Sequence, residues 1–246
     1  MVRDPQSLTS RQPLTLFFSH PGIGLAFATA LANSSATRVF LLGRRLEPLT
    51  AAADSINSST VKPIQCDVTS PSSIAAAVDK ISQETSHVDV LINNAGIVGP
   101  HHNTISKAES IAEVQQTLQK DWGQWDTTWQ TNTSAVVAVS AAFLPLLDEG
   151  NKRRGWVQGK RDVQHRVEGA QYDTSDHRTS QIITVASIAA FNREITAGLA
   201  YTASKAGAVM LGKSLSYSLA PWGIRSNVVC PGRECDLSLY EVNQDC

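Results

Sequence analysis

Short, strand-like runs rich in apolar residues alternate with longer stretches of helical spacing along this chain. That alternation restricts the folds open to it more than any other feature. The strand-like runs fall at 14–18, 39–42, 61–66, 88–92, 182–185 and 226–229, and 39–42 is apolar at every position. Helical stretches open after Gly24 and near Leu46, then occupy 74–81, 135–147 and 203–219. A strand that is apolar without a break buries both of its faces. Strands alternating with helices put those helices on both faces of a parallel, doubly wound sheet joined by right-handed crossovers. The 246 residues are enough for one such domain with a sizeable core. No repeat or linker divides them, so a single domain over 1–246 is expected.

The pattern breaks once, over 148–180. One half is basic (Lys152, Arg153, Arg154, Lys160, Arg161, Arg166) and the other more acidic and polar. A structureless connection of that length is unusual inside a compact domain. It reads as a solvated surface insertion, with a partner-binding loop as the alternative. Hydrophobic residues make up 42% of the chain and charged residues 17%, which argues against disorder. The net charge of -1 supplies no field to recruit nucleic acid or an anionic membrane. No apolar run reaches the ~18 residues of a membrane span, and the first thirteen residues lack the apolar centre of a secretory signal. The expectation is therefore a cytoplasmic protein with neither a nucleic-acid nor a membrane partner. Cys66, Cys230, Cys235 and Cys246 form no C-x-x-C pair, and a structural role is expected for them. His101 and His102 read as a surface pair, with no carboxylate at metal spacing, so no metal site is expected. Trp122, Trp125 and Trp129 are near helical spacing and read as a packed helix edge.

Several residues carry chemistry. Gly22-Ile23-Gly24 follows a strand and opens a helix of small residues; glycine lets backbone approach a pyrophosphate, and the helix N-terminus then faces its charge. Arg44 ends the run 39–42 where a dinucleotide fold needs an acid for ribose hydroxyls or an arginine for a 2′-phosphate. No acid stands there, which favours NADP(H) over NAD(H). Asn93-Asn94-Ala95-Gly96 ends the run 88–92 with small and amide residues suited to backbone pressed on a ligand. Tyr201 and Lys205 are at i and i+4, one helix face, where an ammonium beside a phenol favours the phenolate. Ser187, 14 residues earlier, places a hydroxyl at the end of the run 182–185.

These pieces, in this order from Pro21 to Gly232, resemble the short-chain dehydrogenase/reductase family. The resemblance implies a Rossmann-like fold and a Ser187, Tyr201, Lys205 catalytic set. It implies that Asp67, in Cys66-Asp67-Val68, contacts adenine, and that Asn94 lines the cofactor site. Pro231-Gly232 corresponds to the turn near the nicotinamide. Asn132, in Trp129-Gln130-Thr131-Asn132-Thr133, corresponds to an active-site asparagine that relays protons through water; the alternative is a helix N-cap. The interval from Ser187 to Tyr201 is one residue longer than usual, which implies a longer loop over 191–198. Two departures stand out. The family pattern Thr-Gly-x-x-x-Gly-x-Gly has Phe17 and Phe18 in place of its threonine and first glycine. Fourteen residues follow Gly232, where the family continues through a helical lobe and another strand, so a truncated C-terminal part is expected.

The resemblance thus implies an NADP(H)-dependent enzyme that reduces a small-molecule carbonyl, or oxidises an alcohol, by hydride transfer, with a second copy of itself as a candidate partner. The stretches 42–46 and 190–193 are most similar to fungal 3-oxoacyl- and rhamnolipid-pathway-type reductases, many of whose fungal members serve secondary-metabolite pathways. The rivals are a catalytically impaired relative kept as a binding or oligomerisation protein, or not functional at all, and an RNA- or phosphoprotein-binding module using the basic half of 148–180.

Overall fold

The computed structural model describes residues 13–17, 22–34, 36–56, 59–102, 104–154, 156, 179–193, 195 and 197–232. Its strands are β1 (Pro13–Phe17), β2 (Arg38–Gly43), β3 (Val61–Gln65), β4 (Val90–Asn93), β5 (Gln181–Val185) and β6 (Arg225–Val229). Its helices are α1 (Ile23–Asn33), α2 (Leu46–Ser55), α3 (Pro71–Glu84), α4 (Ile111–Gln119), α5 (Gly123–Trp129), α6 (Ala135–Arg153) and α7 (Leu199–Leu219). The strands pair in parallel in the order β3-β2-β1-β4-β5-β6. This is a doubly wound sheet whose order reverses between β1 and β4.

β2 shows how the sequence dictates the layers. Side chains alternate across a strand, so a run apolar at every position feeds two cores. Phe40 and Leu42 join Ile74, Ile81, Val139, Phe143 and Leu147 on the face covered by α3 and α6. Val39 and Leu41 join Ala28, Leu49, Ala53 and Val61 on the face covered by α1 and α2. A third cluster, Val136, Ala186, Ala208 and Val209, seats α7 against the end of β5. Each large apolar side chain buried this way contributes about 1.5–3 kcal/mol.

The two ends of the region 148–180 differ from expectation. α6 does not stop at Leu147 but continues to Arg153, with Lys152 bridging back to Asp148 at 3.0 Å and Glu149 at 2.6 Å. Asn151 is fully buried there. It accepts from the Ser180 backbone N–H at 2.7 Å and donates to the Gly223 carbonyl at 3.0 Å. The two ends of the supposed insertion are thus part of the packed fold; 157–178 lies outside the described residues, as does 233–246. The stretch Gly123–Arg153 is helical throughout and is long and apolar enough by length and composition to cross a membrane, but half of that apolar stretch is buried inside the fold.

A partly buried polar cluster holds the other end of the sheet. His87 and Asp89 precede β4, and Arg153 and Arg154 close α6. Arg153 donates to His87 Nδ1 at 2.8 Å, and Arg154 pairs with Asp89. The Asp89 carboxylate lies 3.7 Å from His87 Nε2. Arg154 already neutralises it, so burial and the two guanidinium charges prevail and push the His87 imidazole down to about 4. The ring is therefore neutral in the folded chain at a pH where the unfolded chain protonates it. His87 contributes stability present above about pH 6.5 and lost as pH falls toward 4, at about 1.4 kcal/mol per unit. Urea unfolding between pH 7 and pH 4.5 should show this slope, and His87→Gln, which keeps an acceptor for Arg153 but cannot titrate, should flatten it. Equal slopes in the two proteins would count against the cluster.

Candidate active site

Strand register brings the chemistry-bearing residues to one edge. Phe17 is level with Leu42 and with Asn93, Asn93 with Thr184, Thr184 with Val228, and Leu42 with Ile64. One or a few residues beyond that line stand Arg44, Asp67, Asn94, Ser187 and Pro231, with Gly22 opening α1 above β1. Open α/β sheets bind ligands in the crevice at this carboxyl edge, next to the reversal of strand order.

Lys205 is the centre of the site. α7 carries it into the protein, where it is 4% exposed and donates from Nζ to the Val185 carbonyl at the end of β5, 2.9 Å away. Burial pushes its ammonium down to about 8, against the opposing effect of the nearby Cys230. Tyr201, one turn earlier and half-buried, presents its ring with the centroid 5.8 Å from Nζ. Gly96 explains why the loop after β4 carries glycine: a Cβ there would stand 3.2 Å from Lys205 Nζ and 3.3 Å from Asn132 Oδ1.

Asn132 is not an N-cap, because the chain is already helical before α6 begins. α5 and α6 are joined by a π-helical turn, Gln130–Ser134, in one continuous rod. Such turns recur at functional sites. The Asn132 side chain, 1% exposed, accepts from the Ile97 N–H at 2.8 Å and donates to the Ile97 carbonyl and to Ser204 Oγ, both at 2.9 Å. Thr133 Oγ1 donates to the Ser204 carbonyl at 2.9 Å. The π turn therefore ties the loop after β4 to α7 between Tyr201 and Lys205. Ser204 escaped the sequence reading because its partner is 72 positions away.

Ser187 begins the short 3-10 turn Ile188–Ala190, which packs on α7; its Oγ accepts from the Ala189 N–H at 3.1 Å. The Ile188 N–H donates to the Pro231 carbonyl at 3.0 Å, and Gly232 lies against the Ile188 side chain. The turns after β5 and β6 are thus stitched together beside α7.

On the other side of the reversal, Gly43, Arg44, Asp67, Thr69, Ala95 and Thr131 line a shallow open cleft. Burial raises the Asp67 carboxyl. Hydrogen bonds from the Thr69 hydroxyl and backbone, together with the Arg44 charge, outweigh that and hold it below the usual range. Gly22 has φ +155°, which side chains rarely adopt, and its chain neighbours aside, no atom of the described residues lies within 4 Å of where its Cβ would stand. Ile23 and the buried Gly24 follow in the first turn of α1. Phe18 lies outside the described residues, and Phe17 is described only as the last residue of β1.

His102 is not on the surface: it is fully buried, its ring 5.9 Å from that of Trp125, while His101 is exposed. The loop after β4 turns inward at Gly99, φ +75°, and carries His102 under the start of α7. Of Trp122, Trp125 and Trp129, Trp125 is half-buried with the Trp122 ring 5.2 Å from its own, while Trp122 and Trp129 are largely exposed. Among the described residues the free cysteines are Cys66, buried, and Cys230, half-buried; Cys235 and Cys246 lie outside them.

The short chain dehydrogenase family model matches residues 19–157 and 168–234. The chain is 37% identical over 216 residues to the short-chain dehydrogenase/reductase VdtF of Byssochlamys spectabilis, covering 86% of this chain and 69% of that protein. It is 35% identical over 207 residues to SAT3 of Stachybotrys chartarum, covering 82% and 72%. Among solved structures it is similar to an actinorhodin polyketide ketoreductase with NADPH, at 26% identity and a TM-score of 0.69, covering 96% of this chain and 76% of that one. With the parallel sheet and the shared carboxyl edge, these matches show that the chain belongs to the short-chain dehydrogenase/reductase family, oxidoreductases acting on CH–OH and C=O groups.

Proposed function

We propose that this chain is an NADP(H)-dependent carbonyl reductase or alcohol dehydrogenase acting on a small ketone or secondary alcohol, in a fungal secondary-metabolite pathway. The observation that carries the reading is the buried Lys205 held beside Tyr201 at the carboxyl edge of β5. The similarity to fungal relatives and to a polyketide ketoreductase supports the substrate class. Self-association belongs to the same reading, supported by the exposed apolar residues Trp129, Met210 and Tyr217 on α5 and α7.

The residues present fit a dinucleotide. Gly22, Ile23 and Gly24 would hold the pyrophosphate at the start of α1, where the backbone is strained toward glycine and open. Asp67 and Arg44 would take the adenosine end, with Arg44 on the 2′-phosphate. Asn94, Pro231 and Gly232 would flank the nicotinamide end, and Lys205 the adjoining ribose. When bound, the nicotinamide supplies or accepts the hydride. Tyr201 gives its phenolic proton to the substrate oxygen in reduction and takes it back in oxidation. Lys205 places a positive charge beside the phenol ring, where charge develops as the proton is transferred. Ser187 already accepts from Ala189, and its hydroxyl proton remains to hydrogen-bond the substrate oxygen. Asn132 has both amide protons committed, so its part in a proton relay falls to its oxygen atoms.

The test is a fluorescence titration of the full chain with NADPH and with NADH, repeated for Arg44→Asp. The parent should bind NADPH the more tightly. The variant should lose about ten- to a hundredfold in NADPH affinity, the loss of charge-assisted hydrogen bonds to a phosphate. Its NADH affinity should change far less, since a carboxylate can accept from ribose hydroxyls. Equal losses would remove Arg44 from cofactor choice. No binding of either cofactor would favour the rival binding-protein reading.

A further inference from the structure

The loop after β4 is fastened at two further points, and the second has no role in the site so far. Gly99 lies so close to α5 that a Cβ would stand 2.1 Å from Thr128 Oγ1. The buried Pro100 puts its carbonyl where a Cβ on Gly198 would stand 2.0 Å away. Beyond it the His102 N–H donates to the Ala197 carbonyl at 3.4 Å, and His102 Nδ1 accepts from the Leu199 N–H at 3.2 Å.

Leu199 is the first residue of α7, and Gly198 before it has no side chain to cap the helix. The opening N–H groups of a helix have no partner within it and need an acceptor from elsewhere. An imidazole 97 positions away supplies one, two residues before Tyr201. Accepting at Nδ1 leaves the ring proton on Nε2, and that atom is buried with no partner among the described residues. An orphaned N–H is a cost that an apolar side chain of the same size would avoid. Packing alone does not explain a histidine here; the Nδ1 acceptor does. Burial, then the nearby His101, hold the His102 imidazole below its usual range, so the accepting form prevails at neutral pH.

We propose that His102 is a positioning residue, capping α7 from the loop after β4 and thereby setting where Tyr201 stands in the site. The inference rests on the reading of Tyr201 as the proton donor. The loop that holds Ile97 on Asn132 and passes Gly96 beneath Lys205 also fixes the helix carrying both groups. A displacement of about 1 Å in such a group can lower turnover a hundredfold.

The test compares the full chain with His102→Asn, His102→Gln, His102→Leu and Tyr201→Phe. Asparagine carries its oxygen where Nδ1 stood; glutamine carries it one bond further. For each, four quantities are measured: melting temperature, NADPH Kd, amide hydrogen exchange over 197–203, and NADPH consumption with ethyl acetoacetate as ketone probe. His102→Asn should match the parent. His102→Gln and His102→Leu should exchange the Leu199 amide at least about tenfold faster and lose about tenfold or more in kcat. NADPH Kd should stay within about twofold in all three. A merely structural role would not separate asparagine from glutamine. Parental exchange at Leu199 in His102→Gln, or no difference between the two amides, overturns the proposal. If His102→Leu does not fold, the two amide variants still decide it. Parental turnover in Tyr201→Phe overturns the assignment of the proton donor, and the proposal with it, whatever the exchange data show.

Discussion

Tyr201→Phe should lower turnover by about 10²–10⁴-fold while leaving NADPH affinity within about twofold of the parent. The change removes one oxygen and keeps the ring. Phenylalanine still offers its face to Lys205 Nζ, 5.8 Å from the centroid, so the packing of α7 should survive. Lys205 keeps its bond to Val185, and Asn132 its bonds to Ile97 and Ser204, because none of these passes through the phenol. The loss should therefore fall on kcat, the signature of a group that acts in the transition state. Stopped-flow mixing of the variant with NADPH and a ketone would separate chemistry from release. A variant that reduces a confirmed substrate at the parental rate would sink the mechanism.

The sheet was readable because parallel strands buried on both faces leave a plain mark. The run 39–42 is apolar at every position because each side chain meets a core, and β2 lies there with one residue added at each end. Strand ends were less legible: His87 and Asp89 belong to a polar cluster before β4, although Val88 extends the apolar run into it. α4 went unread despite an available signal. Ser110 accepts from the Glu113 N–H at 3.3 Å and Glu113 reaches back to the Glu109 N–H at 3.0 Å, a capping arrangement of the Ser-x-x-Glu kind.

The site divides in the same way. Tyr201 and Lys205 were legible because a helix puts i and i+4 on one face, and Gly22 because its backbone has a conformation few other residues take. The π turn at Asn132 was not legible: it interrupts no periodicity that 130–134 alone could display, and asparagine before an apolar helix suggests a cap. His102 was hidden for another reason. A histidine pair after Gly99-Pro100 looks like a surface loop, and only the fold brings Leu199 to it. Local patterns reveal groups that act through their own element; groups that act across the fold carry no such mark.

The last expected result concerns Lys205, where function and stability oppose one another. Lys205→Met should lower both NADPH affinity and turnover by more than about tenfold, since it removes the charge that would hold the ribose and bias the phenol. It should also make the cofactor-free protein more stable at pH 7. Lys205 is 4% exposed and its ammonium is pushed from about 10.5 to about 8. Between those values the unfolded chain holds a proton that the folded chain has released, so parental stability should rise with pH across that window. Below pH 8 both states are charged and the burial penalty stands in full, about 3 kcal/mol at about 1.4 kcal/mol per unit. A methionine of similar length carries no such penalty and keeps most of the packing, at the loss of the bond to Val185. Urea unfolding of the parent and variant at pH 7, 8.5 and 10 measures both effects at once. The variant should be the more stable at pH 7, and the gap should close as pH rises toward 10. A variant less stable than the parent at pH 7, or a gap that does not change with pH, would show that the ammonium is better solvated in its site than its burial implies.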